Sequence, residues 1–434
     1  MQTSLRGIAK KAKQDKKHRF GNLYGMLDKE ALYTAWKDIN KKAAAGVDKV
    51  TAKEFGENLD QNLSELLEEL KGKKYKARLV RRVDIPKGEG KTRPLGIPTV
   101  KDKTLQRAVT RILEAVYEQD FLKSSYGYRP GVGPQKAVKE LTKELQQNKY
   151  SYIVEADIKG FFNNINHDWL MEMLKRRIKD GAFLRLIKKW LKAGILEMDG
   201  VIIHPLTGCP QGSIVSPILA NIYLHYVLDL WFEKVVRINS EGDSYICRYC
   251  DDFICAFRYK QDAERFYKTL GKRLEKFGLE IAEEKTNIIS FSRFRKHENT
   301  SFEFLGFEFR WQVSHKGKDI VTRRTSRSKL RKSIAAFTEW CRENRDNRIK
   351  KIVKMLNAKF RGYFNYYGVI GNGKGINEFY RAAMSILYKW LNRRSQRRSF
   401  TYEEFNAKMK WYGLIAPRIT EMADNQFRIE ECFV

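Results

Sequence analysis

Apolar residues recur at three- and four-residue spacing through 26–75, around a turn at Ala45-Gly46-Val47-Asp48, and this spacing predicts helices. From 79 to 97 the pattern becomes strand-like. LVRRVDIP and TRPLGIP flank Lys87-Gly88-Glu89-Gly90, which predicts a β-hairpin. Helical spacing returns over 101–118 and 134–147. A short apolar strand, SYIVEADI (151–158), then closes on an aspartate. Helices are predicted near 167–177 and 182–192, and a longer one near 213–237. Two apolar strands, SYICRY and FICAFRY, bracket Cys250-Asp251-Asp252. A helix over 261–276, a strand over 286–292 and a hairpin-like FEFLGFEF segment over 302–309 follow. Three further helices are read over 327–342, 348–366 and 376–393. Residues 1–20 read as a mobile basic arm and 400–434 as a short mixed tail.

Composition narrows the partner. Lys and Arg number 84 against 52 Asp and Glu, a net charge of +32. Self-repulsion of that size opposes a compact fold unless a polyanion neutralises it. Nucleic acid is the leading partner and an anionic membrane surface the second. Between 323 and 398 there are 21 Lys/Arg and 4 Asp/Glu, a local net of +17, so the excess is concentrated there. No apolar run approaches the roughly 18 residues of a transmembrane span. The basic N-terminus, MQTSLRGIAKKAKQDKKHRF, has no apolar core of signal-peptide length. A cytoplasmic location in a bacterium, with nucleoid association through charge, is the default expectation. Cys247 and Cys250 form one CxxC without a second pair or histidines at ligand spacing, so they are expected to be structural thiols.

The candidate chemistry is acidic. Phosphoryl transfer from a nucleotide uses two metal ions roughly 3.5–4 Å apart, and hard divalent ions want carboxylate oxygens. Asp157 closes one apolar strand, while Asp251 and Asp252 occupy the turn between two others. Adjacent carboxylates beside hydrophobic strands repel one another unless a cation is present. Taken singly, each motif is equally a solvated turn or a helix cap.

At this point the chain resembles a known family. Tyr249-Cys250-Asp251-Asp252 is similar to the YxDD box of reverse transcriptases, ADIKGFF (156–162) to their first aspartate motif, and PQGSIVSPILANIYL, opening at Pro210, to their nucleotide-site loop and following helix. IPKGEGKTRPLGIP (85–98) and SSYGYRPG (124–131) resemble the fingers of group II intron-encoded reverse transcriptases. LNAKFRGYFNYYG (356–368) and YKWLNRRSQRRS (388–399) resemble the thumb, or maturase, region of that group.

The resemblance implies an α/β (α+β) right-hand polymerase fold: a basic arm and helical extension over 1–75, fingers over 76–150, a palm over 151–315, a three-helix thumb over 316–400 and a tail over 401–434. It implies an RNA-directed DNA polymerase that takes dNTPs, an RNA template and a DNA or RNA primer. It also implies binding of group II intron RNA, assisting splicing and retromobility. Two Mg²⁺ ions, with Mn²⁺ as a substitute, are the implied cofactors. Asp157, Asp251 and Asp252 are then the expected metal ligands, with the carbonyl of Ile158 beside the nucleotide-bound ion. Lys87 and Arg93 would close over the triphosphate. Phe162 would lie under the sugar, Gln211 and Gly212 would meet the nucleotide, and Lys285 would protonate the leaving pyrophosphate. Arg393, Arg394, Arg397 and Arg398 would contact RNA phosphates. Surface charge is the plainer reading for the cations, and core packing for the aromatics, including Tyr363, Phe364, Tyr366 and Tyr367.

Departures touch none of the expected ligands. Lys159-Gly160, Asn163, Cys250 and Ala282 differ from common family residues, and the paired CxxC motifs of an endonuclease domain are lacking, so cleavage of target DNA is not expected. Two other functions stay open: a related polymerase serving phage defence, DNA repair or spacer acquisition, and a non-catalytic RNA-binding splicing scaffold. The sequence is silent on oligomeric state and processivity.

Overall fold

The computed structural model describes residues 4–88, 91–197, 199–294, 300–314, 316–394 and 399–421. It opens with helices α1 (Leu5–Gln14), α2 (Lys29–Asp38), α3 (Ala52–Glu57) and α4 (Leu59–Lys71). Strands β1 (Val80–Gly88) and β2 (Lys91–Ile97) form the expected antiparallel hairpin. Next come α5 (Val100–Tyr117), α6 (Pro134–Gln147) and β3 (Tyr152–Ala156). Helices α7 (Phe161–Asn164), α8 (His167–Lys175) and α9 (Gly181–Leu191) lead to the short strands β4 (Ile195–Leu196) and β5 (Ile202–Ile203). Helix α10 (Ser216–Leu224) widens into π-turns at His225–Asp229 and Phe232–Val236 before α11 (Arg237–Asn239). Strands β6 (Ser244–Tyr249) and β7 (Asp252–Phe257), helix α12 (Lys260–Glu275) and strand β8 (Asn287–Ser290) complete the central layer. Strands β9 (Ser301–Phe304), β10 (Phe307–Val313) and β11 (Asp319–Thr325) precede helices α13 (Arg327–Asn344), α14 (Ile349–Tyr367), α15 (Gly373–Leu391) and α16 (Tyr402–Trp411).

The mixed helix-and-sheet class is as expected, but both ends of the described chain are more ordered than the charge pattern suggested. Residues 5–14 are a helix, not a mobile arm. Ser4 caps it by accepting from the Gly7 amide, and Ile8 and Ala12, one turn apart, are buried. Arg177, 2% exposed, donates to the carbonyls of Ala12, Asp15 and His18, which ties the end of α1 and the residues after it to the segment that follows α8. The apolar stripe is only two residues wide and is masked in the sequence by lysines. At the other end, a capping box between Thr401 and Glu404 starts α16, and Phe405 and Met409 are buried at helical spacing. The stretch expected to be a short mixed tail is therefore helical over Tyr402–Trp411.

The central sheet runs β6-β7-β3-β8 and is antiparallel throughout. Alternation places Val154, Phe253 and Cys255 on one face, in a core shared with α1, α2, α4, α5, α8, α9 and α10. Ile153, Ile254 and Ala256 face the other way, against α6 and the phenylalanines of β9 and β10. Cys247 is fully buried, its Sγ 3.8 Å from the Ala137 carbonyl.

A third core joins α13 to α16. Phe364 is buried, Tyr363 stacks on Phe379 with ring centres 3.8 Å apart, and Tyr366 and Tyr367 pack on Phe307. These rings serve packing, as the plainer reading held. Tyr366 Oη also donates to the Leu305 carbonyl at 3.0 Å, and the Ser326 amide bonds to the Gly306 carbonyl at 2.9 Å. The β9–β10 turn is thereby tied to both α14 and the start of α13. Phe360 sits at the middle of this core, fully buried among Phe337, Phe364, Phe379 and Tyr380. Phe360→Ala should cost about 3–5 kcal/mol, read as a lower urea midpoint for the helical C-terminal part. An unchanged midpoint would show that this core does not hold those helices together.

Candidate active site

Register decides where the acidic residues lie. Strand β3 pairs with β7 as far as Ala156 and Phe253, so Asp157 and Asp252 are the residues just beyond the last pair on two adjacent strands. Strands β6 and β7 are joined by the two-residue turn Cys250-Asp251, with Tyr249 paired to Asp252. The carboxylates line one cleft of about 1050 Å³, which also takes in Ile158, Phe162, Arg93, Gln211 and Lys285.

Charge in this cleft is poorly balanced. Burial raises the Asp251 carboxyl above the ordinary carboxylate range, and the charge of Asp157 raises it further. Asp252 is pushed up to about 6, first by loss of surrounding solvent and then by Asp251 and Asp157. Asp252 is exposed, so water weakens the first cause, while the repulsion from its two acidic neighbours remains. The charge on Asp157 is met by Lys285, whose Nζ donates to Oδ2 at 2.6 Å. That bond raises the pKa of Lys285 and keeps it protonated.

A divalent cation suits this donor set. Three aspartates offer hard oxygens, and the like charges that add to the raised pKa values of Asp251 and Asp252 mark a site short of positive charge. Among the described residues no three acidic, histidine or cysteine side chains are grouped so as to hold a metal ion as they stand, and Asp157 is paired with an ammonium instead.

The other candidates divide into three groups. Arg93 and Gln211 meet directly, Nε to Oε1 at 2.7 Å, so the fingers-like hairpin and the 210–212 loop share one polar edge of the cleft. Ile158 bridges Ile281, but the two backbone bonds of that bridge run through Asp157 and Lys159 rather than Ile158 itself. Phe162 is 6% exposed and packs edge-on against Phe161 and Tyr128. Gly212 has φ +100°, and a Cβ there would lie 2.6 Å from the Gly96 carbonyl. Its close approach is therefore to the hairpin backbone. Arg393 and Arg394 lie away from the cleft. Arg393 is exposed beside the Trp390 ring, whereas Arg394 is half-buried and donates to the Asn347 carbonyl. The side chain of Lys87, and Arg397 and Arg398 entirely, lie outside the described residues.

Several cleft residues escaped the sequence reading. Tyr128 lines the cleft from an unusual left-handed backbone, φ +56°, inside the SSYGYRPG segment. Glu303 and Lys329 reach it from β9 and α13, and the turn Leu305-Gly306 forms its rim. Two of their segments, SSYGYRPG and the hairpin-like FEFLGFEF, are marked in the sequence, but only the fold brings them and Lys329 to one cleft.

The reverse transcriptase (RNA-dependent DNA polymerase) family model matches residues 85–309. The chain is 30% identical to the group II intron-encoded protein LtrA of Lactococcus lactis subsp. cremoris, over 86% of this chain and 75% of that one. It is 31% identical to protein YkfC of Escherichia coli (strain K12), over 68% of this chain and 83% of the relative. A solved telomerase structure from Candida albicans, with a fragment of its RNA, aligns at a TM-score of 0.46 and 14% identity over 82% of this chain and 68% of that one. A likeness at that level carries no weight for function.

The repulsion in the cleft has a measurable sign. The folded protein holds the Asp252 proton more tightly than an unfolded chain does, so stability falls as pH rises from about 4 through about 6. In EDTA, Asp252→Asn should therefore melt at a higher temperature than the parent at pH 8, and the gap should close as pH falls to the ordinary value of 3.8. Equal gaps at pH 4 and pH 8 would rule out the repulsion.

Proposed function

The chain belongs to the group II intron-encoded reverse transcriptases, and we propose that Asp157, Asp251 and Asp252 form the metal-binding centre at which it extends a primer. The protein is an RNA-directed DNA polymerase with a right-hand polymerase fold and depends on a divalent metal ion. On this reading residues 76–150 act as fingers, 151–315 as palm and 316–400 as thumb. Neither a role outside introns nor a purely non-catalytic scaffold is favoured by these relatives.

The observation that carries the proposal is the convergence of two strand ends on three mutually repelling carboxylates. Asp157, Asp251, Asp252 and the carbonyl of Ile158 would hold two Mg²⁺ ions, with Mn²⁺ able to replace them. Such ions, when bound, lower the pKa of the primer 3′-hydroxyl and offset triphosphate charge. Every other task falls to the chain itself. Arg93, already oriented by Gln211, and Lys87 offset phosphate charge as the fingers close. Phe162 forms a flat floor for the sugar and leaves little room for a ribose 2′-hydroxyl. Gln211 bonds the incoming dNTP, and Gly212 lets the hairpin approach the loop that carries it. Lys285 enters with its proton held, and must leave Asp157 before it can deliver that proton to pyrophosphate.

The basic C-terminal helices grip RNA. Template RNA and primer run across the thumb, and group II intron RNA is the natural ligand for splicing and retromobility. Among the described residues no helix is long and apolar enough to cross a membrane.

Asp251→Ala should abolish primer extension on an RNA template while RNA affinity stays within about twofold, since the change removes no phosphate contact. Extension at the parental rate would remove Asp251 from the metal site. RNA affinity itself should fall steeply between 50 and 200 mM salt, by roughly 10³-fold or more if six or more phosphates are neutralised. A flat response in a filter-binding titration would contradict an electrostatic grip.

A further inference from the structure

Arg248 is wholly buried in strand β6, three residues before Asp251. A buried guanidinium is tolerated when all five of its donors are met, and here they are. Nε and Nη2 each donate to an oxygen of Asp229 at 2.6 Å. Nη2 also donates to Ser125 Oγ at 2.7 Å. Nη1 donates to Asn221 Oδ1 at 3.0 Å and to the carbonyl of Cys250 at 2.8 Å. Asn221 lies one turn before the first π-turn of the long helix and Asp229 is the last residue of that π-turn, a geometry that recurs at functional sites. His225, on the same stretch of helix, is held neutral by burial, which pushes it down to about 4. The countercharge for Asp229 therefore comes from Arg248.

Four of these bonds would serve stability alone. The fifth has a different consequence. The two-residue turn needs a left-handed first residue, a place that usually takes glycine, and Cys250 fills it at φ +59°. The carbonyl that Nη1 grips belongs to the peptide joining Cys250 to Asp251. The guanidinium thus fixes the plane from which Asp251 departs. The turn is closed in from the other side as well. Asn221 Nδ2 bonds the Gly127 carbonyl at 2.6 Å, and a Cβ on Gly127 would run into the backbone nitrogen and sulfur of Cys250.

We infer that Arg248 is a positioning residue of the polymerase, holding the strained Cys250-Asp251 peptide so that Asp251 and Asp252 stay directed at Asp157. This rests on the ligand role proposed above for those aspartates. Loosening the guanidinium lets the turn relax and disperses the carboxylates, while the RNA-gripping surface is untouched.

The test uses the full-length protein and two variants, Arg248→Lys and Asn221→Ala, each checked for cooperative melting by circular dichroism. Arg248→Lys keeps the charge and loses the fork. Asn221→Ala removes one neutral acceptor of the nitrogen that holds Cys250. Mn²⁺ binding is measured by electron paramagnetic resonance without nucleic acid, alongside single-nucleotide extension and RNA affinity. For Arg248→Lys, Mn²⁺ affinity and kcat should each fall by about 10–100-fold, the range for residues that orient metal ligands. The KM for dNTP should stay within about threefold and RNA affinity within about twofold, because neither surface is touched. Asn221→Ala should show the same split at smaller size. Folded variants with parental Mn²⁺ affinity and kcat would overturn the proposal. So would failure of both variants to fold, which would assign the network to stability. Asp251→Ala run in parallel separates the two ideas: if it binds Mn²⁺ and extends normally, the site assignment is at fault; if it alone is inactive, only the positioning role is.

Discussion

Everything at the candidate centre depends on the pairing of β3 with β7. A strand has period two, so slipping this ladder by one residue would turn Val154 and Ile153 to the wrong cores and move Asp157 out of line with Asp252. Burial on both faces of the sheet penalises such a slip from two sides at once. The hydrophobic alternation that stabilises the fold is therefore the same feature that sets three negative charges together. Repulsion among them opposes the arrangement, and the apolar cores on either side outweigh it.

Much of this was legible in the sequence because the signal was local. The strand ending at Asp157, the turn at Asp251-Asp252, the fingers-like hairpin and the three basic helices all announce themselves by periodicity or turn chemistry. The order of those motifs also carried the family resemblance. What stayed hidden had one of two causes. Helices α1 and α16 bury only two apolar residues apiece, too narrow a stripe to stand out against the lysines around them. Tyr128, Glu303, Lys329 and Arg248 owe their positions to contacts between distant segments, and no window of sequence contains such contacts.

Gly212 was expected to permit a close backbone approach, and the structure shows one such approach, with a left-handed backbone set against the Gly96 carbonyl. The Gly96 amide returns a bond to the Gln211 carbonyl at 2.5 Å. Hairpin and loop are thus fastened backbone to backbone, and the Arg93–Gln211 contact is a product of that seam rather than a chance meeting of side chains.

The rim of the cleft has a comparable fastening at Leu305-Gly306, where a tyrosine hydroxyl from one basic helix and the amide that begins another both hold the turn. Because both ties run to the basic C-terminal helices, a shift of those helices would carry the rim of the cleft with it, which couples the most cationic part of the molecule to its acidic centre.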